Sequence, residues 1–577
     1  MPLPKLFRLA APSLAGLLSL SIAPSLPASV PVDARFGVMT HFAHGWDPDW
    51  AWIAAIRGVP NVRDELYWNV VEQQPGVYTF PADYDRYMDT LRVAGLSPLI
   101  VLSFENPLYD GGNTPWSDTA IAAYARYGSA VLRHYGDQIK SVEIWNEYNG
   151  SFCQGPATVD RANTYARMLA GAYAGIKAAR PDVIVAGGAT INVPLPYWEK
   201  LMQAGALDSM DALSVHPYRY NSAPEGIEDD IAGLQNLVRQ YNHGQSKPIW
   251  VTEVGWGIQE NPGPGEMFID EATQAKFLVR AYALLLSAGV ERVYWYLLRD
   301  YEDFTLGLTQ ADATPKLSAY AMQVMIQKLS GAKFVRRELT DEYLYSLLFE
   351  FDDGTPVRVV WSLKPVTVSS LGATTVTDLL GHSSAAPAAL DLTDTPLFVE
   401  GPFVGLPPRT ITQVVLADSV RDFSGTQGYR GWSFGAFAGY GSTDFQPLTN
   451  YEVTDWTQVW GGAFPWLTVT TGDQHPSTTG SQPVSAVRRW TSTYEGSVHI
   501  TGQFQCGAGG DGVGVSVFVD GERIIHASLG GGNAITAPLD FVQTVHPGTR
   551  LAFAVDPGPG NDIDFDATSL HVTITAN

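Results

Sequence analysis

Two short stretches, Val142-Glu143-Ile144-Trp145-Asn146-Glu147 and Ile249-Trp250-Val251-Thr252-Glu253, decide the fold. Each is an apolar run that ends in a glutamate, as expected of a strand buried on both faces of a parallel sheet. Segments with helical periodicity precede and follow each run. This alternation of strand and helix predicts parallel strands joined by right-handed crossovers.

Similar apolar runs recur through the first 300 residues. The predicted strands are 36–42, 59–64, 97–104, 139–145, 183–187, 212–216, 248–252 and 290–296. Eight strand–helix units are the number in a (β/α)8 TIM barrel, which we place over residues 33–330. An open doubly wound sheet would also alternate, but no glycine-rich phosphate loop follows the first strand.

The rest of the chain has no helical period and predicts two all-β domains. Short alternating strands separated by turn signals predict an accessory β-sandwich over 331–416. Residues 421–577 predict a jelly-roll-like β-sandwich with five tryptophans, a candidate carbohydrate-binding module. The fold class is therefore α/β, a TIM barrel followed by two all-β sandwich domains.

The first residues predict a targeting segment rather than part of the fold. Lys5 and Arg8 precede an apolar stretch at 9–22, and small residues follow it. This pattern is typical of a signal peptide, which we assign to residues 1–28. The expected location is therefore secreted, periplasmic or at the cell surface.

Composition excludes several classes of function. The 577 residues include 59 acidic and 36 basic side chains, for a net charge of -23, which argues against nucleic acid and anionic membranes as partners. Two cysteines, Cys153 and Cys506, cannot form a disulfide framework or a four-thiolate metal site. The His-Glu-x-x-His motif of zinc proteases and the P-loop of NTPases do not occur in the sequence.

No cofactor is predicted for the barrel. One segment near the end of the chain could ligate a structural calcium ion in the last domain, although it lacks the spacing of an EF-hand loop. Its oxygen-bearing side chains are Asn561, Asp562, Asp564 and Asp566.

The predicted barrel brings two glutamates to one face. Catalytic groups of TIM barrels lie at the carboxyl ends of the strands, where Glu147 follows the fourth strand and Glu253 the seventh. Either residue alone would be interpreted as a helix cap or a surface group. Together they meet the requirement of glycoside hydrolysis for one acid and one carboxylate across the scissile bond.

With these residues in place, the sequence resembles the clan A retaining glycoside hydrolases. The resemblance implies that Glu147 is the acid/base, that Glu253 is the nucleophile and that Asn146 binds the sugar 2-hydroxyl. Within the clan, the passage from Arg63 through Glu72-Gln73-Gln74-Pro75-Gly76 resembles family 39 and its neighbours. The usual Asn-Glu-Pro of that family is Asn146-Glu147-Tyr148 here.

Further side chains at the predicted strand ends are candidates for the same site. Arg63 would keep Glu253 ionised, with a surface ion pair as the alternative. His216 and Tyr218 would orient the nucleophile or contact sugar, and a buried core histidine is the alternative. The remaining candidates are Trp295 as an aromatic platform beneath the sugar, and Glu105 and His41 as polar contacts to substrate.

The predicted function is therefore an exported retaining glycosidase that acts on a polysaccharide or oligosaccharide. Five aromatic residues near strand ends could line an extended cleft and favour endo action: Trp46, Trp68, Tyr109, Trp116 and Trp256. A non-catalytic carbohydrate-binding protein is the alternative from another class. Transglycosylation would use the same two glutamates.

Overall fold

The computed structural model describes most of the chain. The described residues are 33–219, 222–260, 267–301, 304–338, 343–402, 415–439, 443–453, 458–462, 464–507 and 509–576. The predicted signal peptide, 1–28, lies outside them. No described helix combines the length and apolar character that crossing a membrane requires.

A closed parallel barrel forms the first part of the described chain. The strands of this region are β1 (Phe36–Met39), β2 (Asn61–Tyr67), β3 (Glu72–Gln74), β4 (Val77–Tyr78), β5 (Ser97–Ser103), β6 (Ser141–Ile144), β7 (Ile184–Ile191), β8 (Ala212–His216), β9 (Ile249–Val254) and β10 (Arg292–Trp295). The barrel closes in the order β1-β10-β9-β8-β7-β6-β5-β2, while β3 and β4 form a separate hairpin. The prediction of a TIM barrel is confirmed.

Helices surround the barrel and connect its strands. They are α1 (Ala51–Ile56), α2 (Trp68–Val71), α3 (Ala82–Ala94), α4 (Asp118–Tyr135), α5 (Arg161–Ala179), α6 (Leu195–Gln203), α7 (Ile227–Tyr241), α8 (Glu271–Ser287) and α9 (Leu317–Leu329). Local sequence fixes several helix starts, since the side chains of Ser117, Asp160 and Asp270 accept hydrogen bonds from backbone N–H groups of α4, α5 and α8.

Two strands extend beyond their predicted ends. Strand β2 continues to Tyr67, so Arg63 lies within the strand and not at its end. Strand β9 continues to Val254 and includes Glu253. Both side chains are buried nevertheless, and they form a hydrogen bond with each other inside the barrel.

The second part is an antiparallel sheet packed on the barrel. Its strands are β11 (Lys333–Glu338), β12 (Leu344–Glu350), β13 (Pro356–Ser362), β14 (Val366–Ser369), β15 (Thr375–Thr377), β16 (Ser383–Ala385), β17 (Ala389–Leu392) and β18 (Leu397–Glu400). Six of them form one sheet in the order β11-β12-β13-β18-β15-β16, and β14 pairs with β17. Leu347 and Val359, on one face of the large sheet, belong to the same hydrophobic core as the barrel residues.

The third part is a sandwich of two antiparallel sheets. Its strands are β19 (Val415–Asp418), β20 (Trp432–Ala438), β21 (Phe445–Pro447), β22 (Asn450–Val453), β23 (Gln458–Gly461), β24 (Thr468–Thr470), β25 (Asp473–His475), β26 (Ser477–Thr479), β27 (Gln482–Thr491), β28 (Gly496–Cys506), β29 (Val513–Val519), β30 (Glu522–Leu529), β31 (Thr536–Val545), β32 (Arg550–Asp556) and β33 (Thr568–Ala576). An eight-stranded and a seven-stranded sheet enclose a separate core. The all-β prediction is confirmed.

The sandwich begins earlier than the sequence indicated. Strand β19 pairs with the last strand, β33, so residues 415–418 belong to the C-terminal sandwich. The predicted division placed the end of the accessory domain at 416 and the start of the sandwich at 421. A four-residue strand without clear alternation offers no sequence signal for the sheet that it joins.

Candidate active site

The first glutamate stands on a strained turn at the carboxyl end of β6. Glu147 has φ 45°, and Trp145, two residues earlier, has φ 68°. Positive φ is uncommon outside glycine and persists where the surroundings hold it. Here the Glu147 N–H donates to the carbonyl of Ala189, at 2.7 Å, and the buried Trp145 indole donates to the carbonyl of Phe152, at 2.9 Å. The turn thereby fixes the direction of the Glu147 side chain.

The second glutamate lies within β9 and is held by two donors. The Arg63 guanidinium donates from Nη1 to Glu253 Oε1 at 2.6 Å, and the Tyr218 hydroxyl donates to Oε2 at 2.7 Å. One donor on each oxygen fixes the plane of the carboxylate. The side chain is 10% exposed, so it is shielded from bulk water but open to the mouth of the barrel.

The two glutamates face each other at close range. One carboxylate oxygen of Glu147, one of Glu253 and a ring nitrogen of His216 all lie within 4.8 Å of one another. Carboxyl groups about 5–5.5 Å apart are typical of retaining glycosidases, whereas inverting enzymes keep them about 6.5–9.5 Å apart to admit a water molecule. Oxygens of the two carboxylates that approach within 4.8 Å are closer than the inverting range and favour the retaining arrangement.

His216 connects the two sides of this pair. It is fully buried; its Nδ1 lies 2.9 Å from Glu147 Oε1 and its Nε2 lies 3.0 Å from the hydroxyl of Thr252. The histidine predicted for the site is thus beside both glutamates, since Nδ1 is also 3.8 Å from Glu253 Oε1. It is shielded from solvent, and its Nδ1 lies close to a carboxylate oxygen of each glutamate.

Arg63 is the centre of a buried polar cluster. Besides Glu253, its guanidinium contacts Glu143 Oε2 at 2.6 Å and Asn146 Oδ1 at 2.8 Å. Two carboxylates balance the one buried cation, and their charges outweigh the effect of burial and raise the Arg63 pKa. The alternative interpretation of Arg63 as a surface ion pair is wrong, because the side chain is 1% exposed.

Glu143 is a residue of this cluster that the sequence analysis missed. It lies on β6, is fully buried, and pairs with Arg63. A charged residue inside an apolar strand was the available signal, because such a residue needs a partner in the interior. Its partner lies on a different strand, so the pairing could not be assigned from sequence.

Charges set the protonation of the site. Burial opposes ionisation of Glu253, but the charges of His216 and Arg63 and the Tyr218 hydrogen bond outweigh it and lower the Glu253 pKa. For His216, burial opposes protonation, yet the Glu253 charge and the Glu147 contact outweigh it and raise the His216 pKa. The site thus favours an ionised Glu253.

His41 lies on another side of the same mouth. Its Nε2 is 3.2 Å from the Tyr296 hydroxyl and its Nδ1 is 3.5 Å from Glu65 Oε2. Burial lowers the His41 pKa, but the Glu65 carboxylate outweighs burial and the net shift is upward. Tyr296, which the sequence analysis did not select, is half-buried between His41 and Tyr218.

Trp295, predicted as an aromatic platform beneath the sugar, is a core residue. It is fully buried, its indole donates to the carbonyl of Leu306 at 2.8 Å, and it packs against Trp256. Side chains alternate along a strand, and Tyr294 belongs to the layer inside the barrel. Trp295 therefore faces the helices, and Tyr296 is the aromatic residue at the mouth.

Glu105, the candidate that follows the third barrel strand, forms fewer contacts than the other candidates. Glu105 is half-buried and forms no hydrogen bond or ion pair in the part of the chain that the structure describes. Its neighbour Asn106 is buried and donates to the carbonyl of Glu72, at 2.8 Å. Glu105 thus remains a candidate for a substrate contact, while Asn106 supports the hairpin of β3 and β4.

Most of the aromatic residues predicted to line the cleft do not. Trp46, Trp68 and Trp256 are buried, and Tyr109 stacks on Trp68 at 5.1 Å between ring centroids. Trp116 is exposed. Three of the five aromatic residues that favoured endo action are therefore core residues. Aromatic side chains near strand ends also pack between strands and helices, so their position in the sequence does not show that they line a cleft.

Two groups of side chains among the described residues have the spacing of metal ligands. One is Glu147, His216 and Glu253, and the other is His41, His44 and Glu65. In the first group, the Arg63 cation already occupies one oxygen of Glu253 and would repel a metal ion. In the second, the Tyr67 hydroxyl contacts His44 and the Tyr296 hydroxyl contacts His41. Both groups thus contain side chains that already form hydrogen bonds or ion pairs with protein groups.

Comparison with known proteins identifies the class of the barrel. Residues 112–317 match the family model of a glycosyl hydrolase catalytic core. A family 39 glycoside hydrolase from the gut symbiont Bacteroides cellulosilyticus WH2 is similar in structure, with TM-score 0.56 and 21% identity over 64% of this chain and 81% of that chain. No curated protein sequence matches the chain.

Two further solved structures are similar over most of their own length. A glucosidase from Croceicoccus marinus has TM-score 0.46 and 15% identity, and covers 91% of this chain and 96% of its own. A GH39 β-xylosidase from Caulobacter crescentus has TM-score 0.46 and 16% identity, and covers 64% of this chain and 96% of its own.

The family-model match confirms the prediction of a glycosidase. The resemblance to clan A and to family 39 is confirmed at the level of the fold. The chain is thus a glycosidase whose catalytic barrel precedes two all-β parts, and its substrate is a carbohydrate.

Proposed function

We propose that the protein hydrolyses glycosidic bonds of a polysaccharide or oligosaccharide with retention of configuration, with Glu253 as nucleophile and Glu147 as acid/base. The observation that supports this best is the approach of the two carboxylates within 4.8 Å, with Arg63 and Tyr218 bound to one of them. Arg63 and Tyr218 favour the ionised form of Glu253, as a nucleophile requires, and Glu147 lies opposite it in the position of the proton donor.

In the first step, an oxygen of Glu253 attacks the anomeric carbon. The bond from that carbon to the departing oxygen breaks, and the proton of Glu147 passes to this oxygen. The product is a glycosyl ester of Glu253. Arg63 stays charged while the negative charge of Glu253 is consumed, so Glu143 becomes its remaining counter-ion, at 2.6 Å.

In the second step, Glu147 removes a proton from a water molecule. The water oxygen attacks the anomeric carbon, the ester bond to Glu253 breaks, and the carboxylate returns to Arg63 and Tyr218. Two inversions leave the configuration unchanged. His216 bridges Thr252 and Glu147, and so holds Glu147 in place in both of its protonation states.

Asn146 is placed to bind the sugar. Its amide oxygen accepts from Arg63, which leaves the amide NH₂ as a donor beside the nucleophile. A hydrogen bond from this group to the sugar 2-hydroxyl would strengthen in the transition state, as in other glycosidases. Tyr296 and His41 would contact the ring from the opposite side.

Export and internal cleavage complete the proposal. The predicted signal peptide supports export. An aromatic pair supports a cleft that extends beyond one sugar, since Phe152 is 40% exposed in the loop after Glu147 and stacks on Phe104 at 5.2 Å between centroids. Internal cleavage would lower the viscosity of a polymer before many reducing ends appear.

Azide rescue of truncated variants tests the two roles. Glu253→Ala and Glu147→Ala should each lose activity on polysaccharide, the second by about 10²–10⁴-fold in kcat. Azide can enter the space of the missing carboxylate. On a substrate with a good leaving group, Glu253→Ala with azide should form a glycosyl azide of inverted configuration, and Glu147→Ala one of retained configuration.

Glu291→Gln is the matched control, since this exposed glutamate lies before β10, at the opposite end of the barrel. It should keep wild-type kinetics. If the two azide products had the reverse configurations, the roles would be exchanged. Wild-type hydrolysis with inversion, followed by NMR of the first product, would contradict the mechanism.

A further inference from the structure

A second cluster of carboxylates lies at one end of the C-terminal sandwich, where two loops meet. One loop joins β28 to β29 and carries Asp511, and the other joins β32 to β33 and carries Asn561 and Asp566. The loops approach closely, because a Cβ added to Gly560 would lie 1.6 Å from Asp511 Oδ2. The Asp511 carboxylate therefore lies against the backbone of the facing loop.

Five side-chain oxygens at this place are buried and have no hydrogen-bond partner among the residues that the structure describes. They are Oδ1 and Oδ2 of Asp511, Oδ1 of Asn561, and Oδ1 and Oδ2 of Asp566. Asp566 is 1% exposed. Buried carboxylates are normally paired or bound to a metal ion, because an isolated buried charge costs several kcal/mol.

No basic side chain compensates these charges. Among the salt bridges of the described residues, none includes Asp511 or Asp566. Burial is the largest influence on Asp566 and the Asp511 charge is the next, and together with more distant aspartates they raise the Asp566 pKa to about 7. The cluster is thus a concentration of negative charge that no basic side chain of the described residues balances.

We propose that this cluster binds one divalent cation, calcium, with Asp511, Asn561 and Asp566 as side-chain ligands. Carboxylate and amide oxygens are the ligands that calcium prefers, and it accepts irregular sets of 6–8 oxygens. The unpartnered atoms are all oxygens, so softer metals that prefer nitrogen or sulfur are disfavoured. The ion would connect the two loops and neutralise the buried charge.

The proposal changes the ligand set that the sequence suggested. Asn561 and Asp566 came from the predicted segment, but Asp562 and Asp564 are exposed, and Asp562 accepts a hydrogen bond from the Asp564 N–H at 3.1 Å. Asp511 lies some 50 residues earlier in the chain, and sequence spacing could not reveal it.

Calorimetry on the full chain tests the site. The protein is stripped with EGTA and titrated with CaCl₂, and in parallel with MgCl₂. We expect one calcium per chain, weaker or no magnesium binding, and a rise in the unfolding temperature of the sandwich with calcium, because binding to the folded state alone stabilises it. Wild-type protein that neither binds calcium nor gains stability would overturn the proposal.

Three variants separate a metal site from a general charge effect. Asp566→Asn and Asp511→Asn should lose calcium binding and the calcium-dependent rise in Tm. In EGTA, Asp566→Asn should melt no lower than wild type, because it removes a buried unpaired charge. Asp540→Asn is the matched control, since this exposed aspartate of β31 pairs with His499.

The control should respond to calcium like the wild type. If Asp540→Asn lost the response as fully as Asp566→Asn, or if magnesium matched calcium, the cation would be responding to overall charge and the site would be rejected. If the Asp566 variant failed to fold, the Asp511 variant and the wild-type titration would still decide.

Discussion

Glu253 is held by three groups that act on it in different ways. Arg63 supplies a fixed buried charge, Tyr218 a neutral hydrogen bond, and His216 a charge that depends on pH. All three favour the ionised carboxylate, against the effect of burial. Because each acts on the same pKa by a separate route, single substitutions can separate their effects.

Tyr218→Phe should shift the acidic limb of the pH profile of kcat/KM to higher pH. The hydroxyl donates to Glu253 Oε2 at 2.7 Å and lowers the Glu253 pKa. Without it the pKa rises, so the ionised nucleophile is lost at a higher pH as the solution is acidified. Profiles of wild type and variant, measured on one soluble substrate, check the shift.

Tyr320→Phe serves as the control, since Tyr320 is exposed on α9 and its ring packs against the Arg57 guanidinium. It should leave both limbs in place. A Tyr218→Phe profile lowered uniformly, with its acidic limb unmoved, would mean that the hydroxyl contacts only substrate.

At the scale of elements, β10 and the residue that follows it place three consecutive aromatic side chains in different surroundings. Tyr294 belongs to the layer inside the barrel, Trp295 packs in the core towards the helices, and Tyr296, just after the strand, contacts His41 at the mouth. Three consecutive aromatic residues look equivalent in the sequence. The register of the strand around the barrel distinguishes them.

Substitutions in β10 and at the residue after it should therefore divide between stability and catalysis. Trp295→Ala should lower the free energy of unfolding by about 3–5 kcal/mol, since it empties a fully buried site. Tyr296→Ala should lower kcat/KM by about tenfold or more, with a smaller effect on stability. Thermal unfolding and kinetics on the same preparations check this. Equal kinetic losses in both variants would contradict the division.

Prediction from sequence succeeded where the signal was local and failed where it was not. Apolar runs ending in Glu147 and Glu253 located two barrel strands, because buried parallel strands are hydrophobic throughout. The partner of Arg63 on β6 and the orientation of Trp295 depend on packing between distant segments. Such contacts leave no fixed spacing in the sequence.

Among the tryptophans that the structure describes in the C-terminal sandwich, one has an exposed ring. Trp432, Trp460 and Trp490 are core residues, whereas Trp466 is 75% exposed before β24. If the sandwich binds carbohydrate as predicted, sugar should stack on Trp466. Trp466→Ala should then weaken binding to insoluble polysaccharide, Trp466→Phe should restore part of it, and Ile524→Ala, also exposed, should have no effect. Unchanged pull-down by Trp466→Ala would remove this role.

At the scale of the whole molecule, the barrel packs against the sheet that contains β11, β12, β13 and β18. Their apolar residues form one continuous core, which includes Phe349 and Trp361. A buried polar cluster lies at the same boundary. Glu225 accepts from Arg280 Nε at 2.8 Å and from the Trp361 indole at 2.9 Å, and Arg280 is 2% exposed.

Glu225→Ala should therefore destabilise both parts together, by about 3–5 kcal/mol, because it removes the nearest carboxylate of the buried Arg280 cation. Asp394→Ala is the control, since Asp394 also contacts Arg280 but is half exposed, and such pairs contribute about 0–1 kcal/mol. Calorimetry should show the barrel and the adjoining sheet unfolding in one transition that moves to lower temperature only in Glu225→Ala. Separate transitions, with the barrel unaffected, would mean that the two parts fold independently despite their shared core.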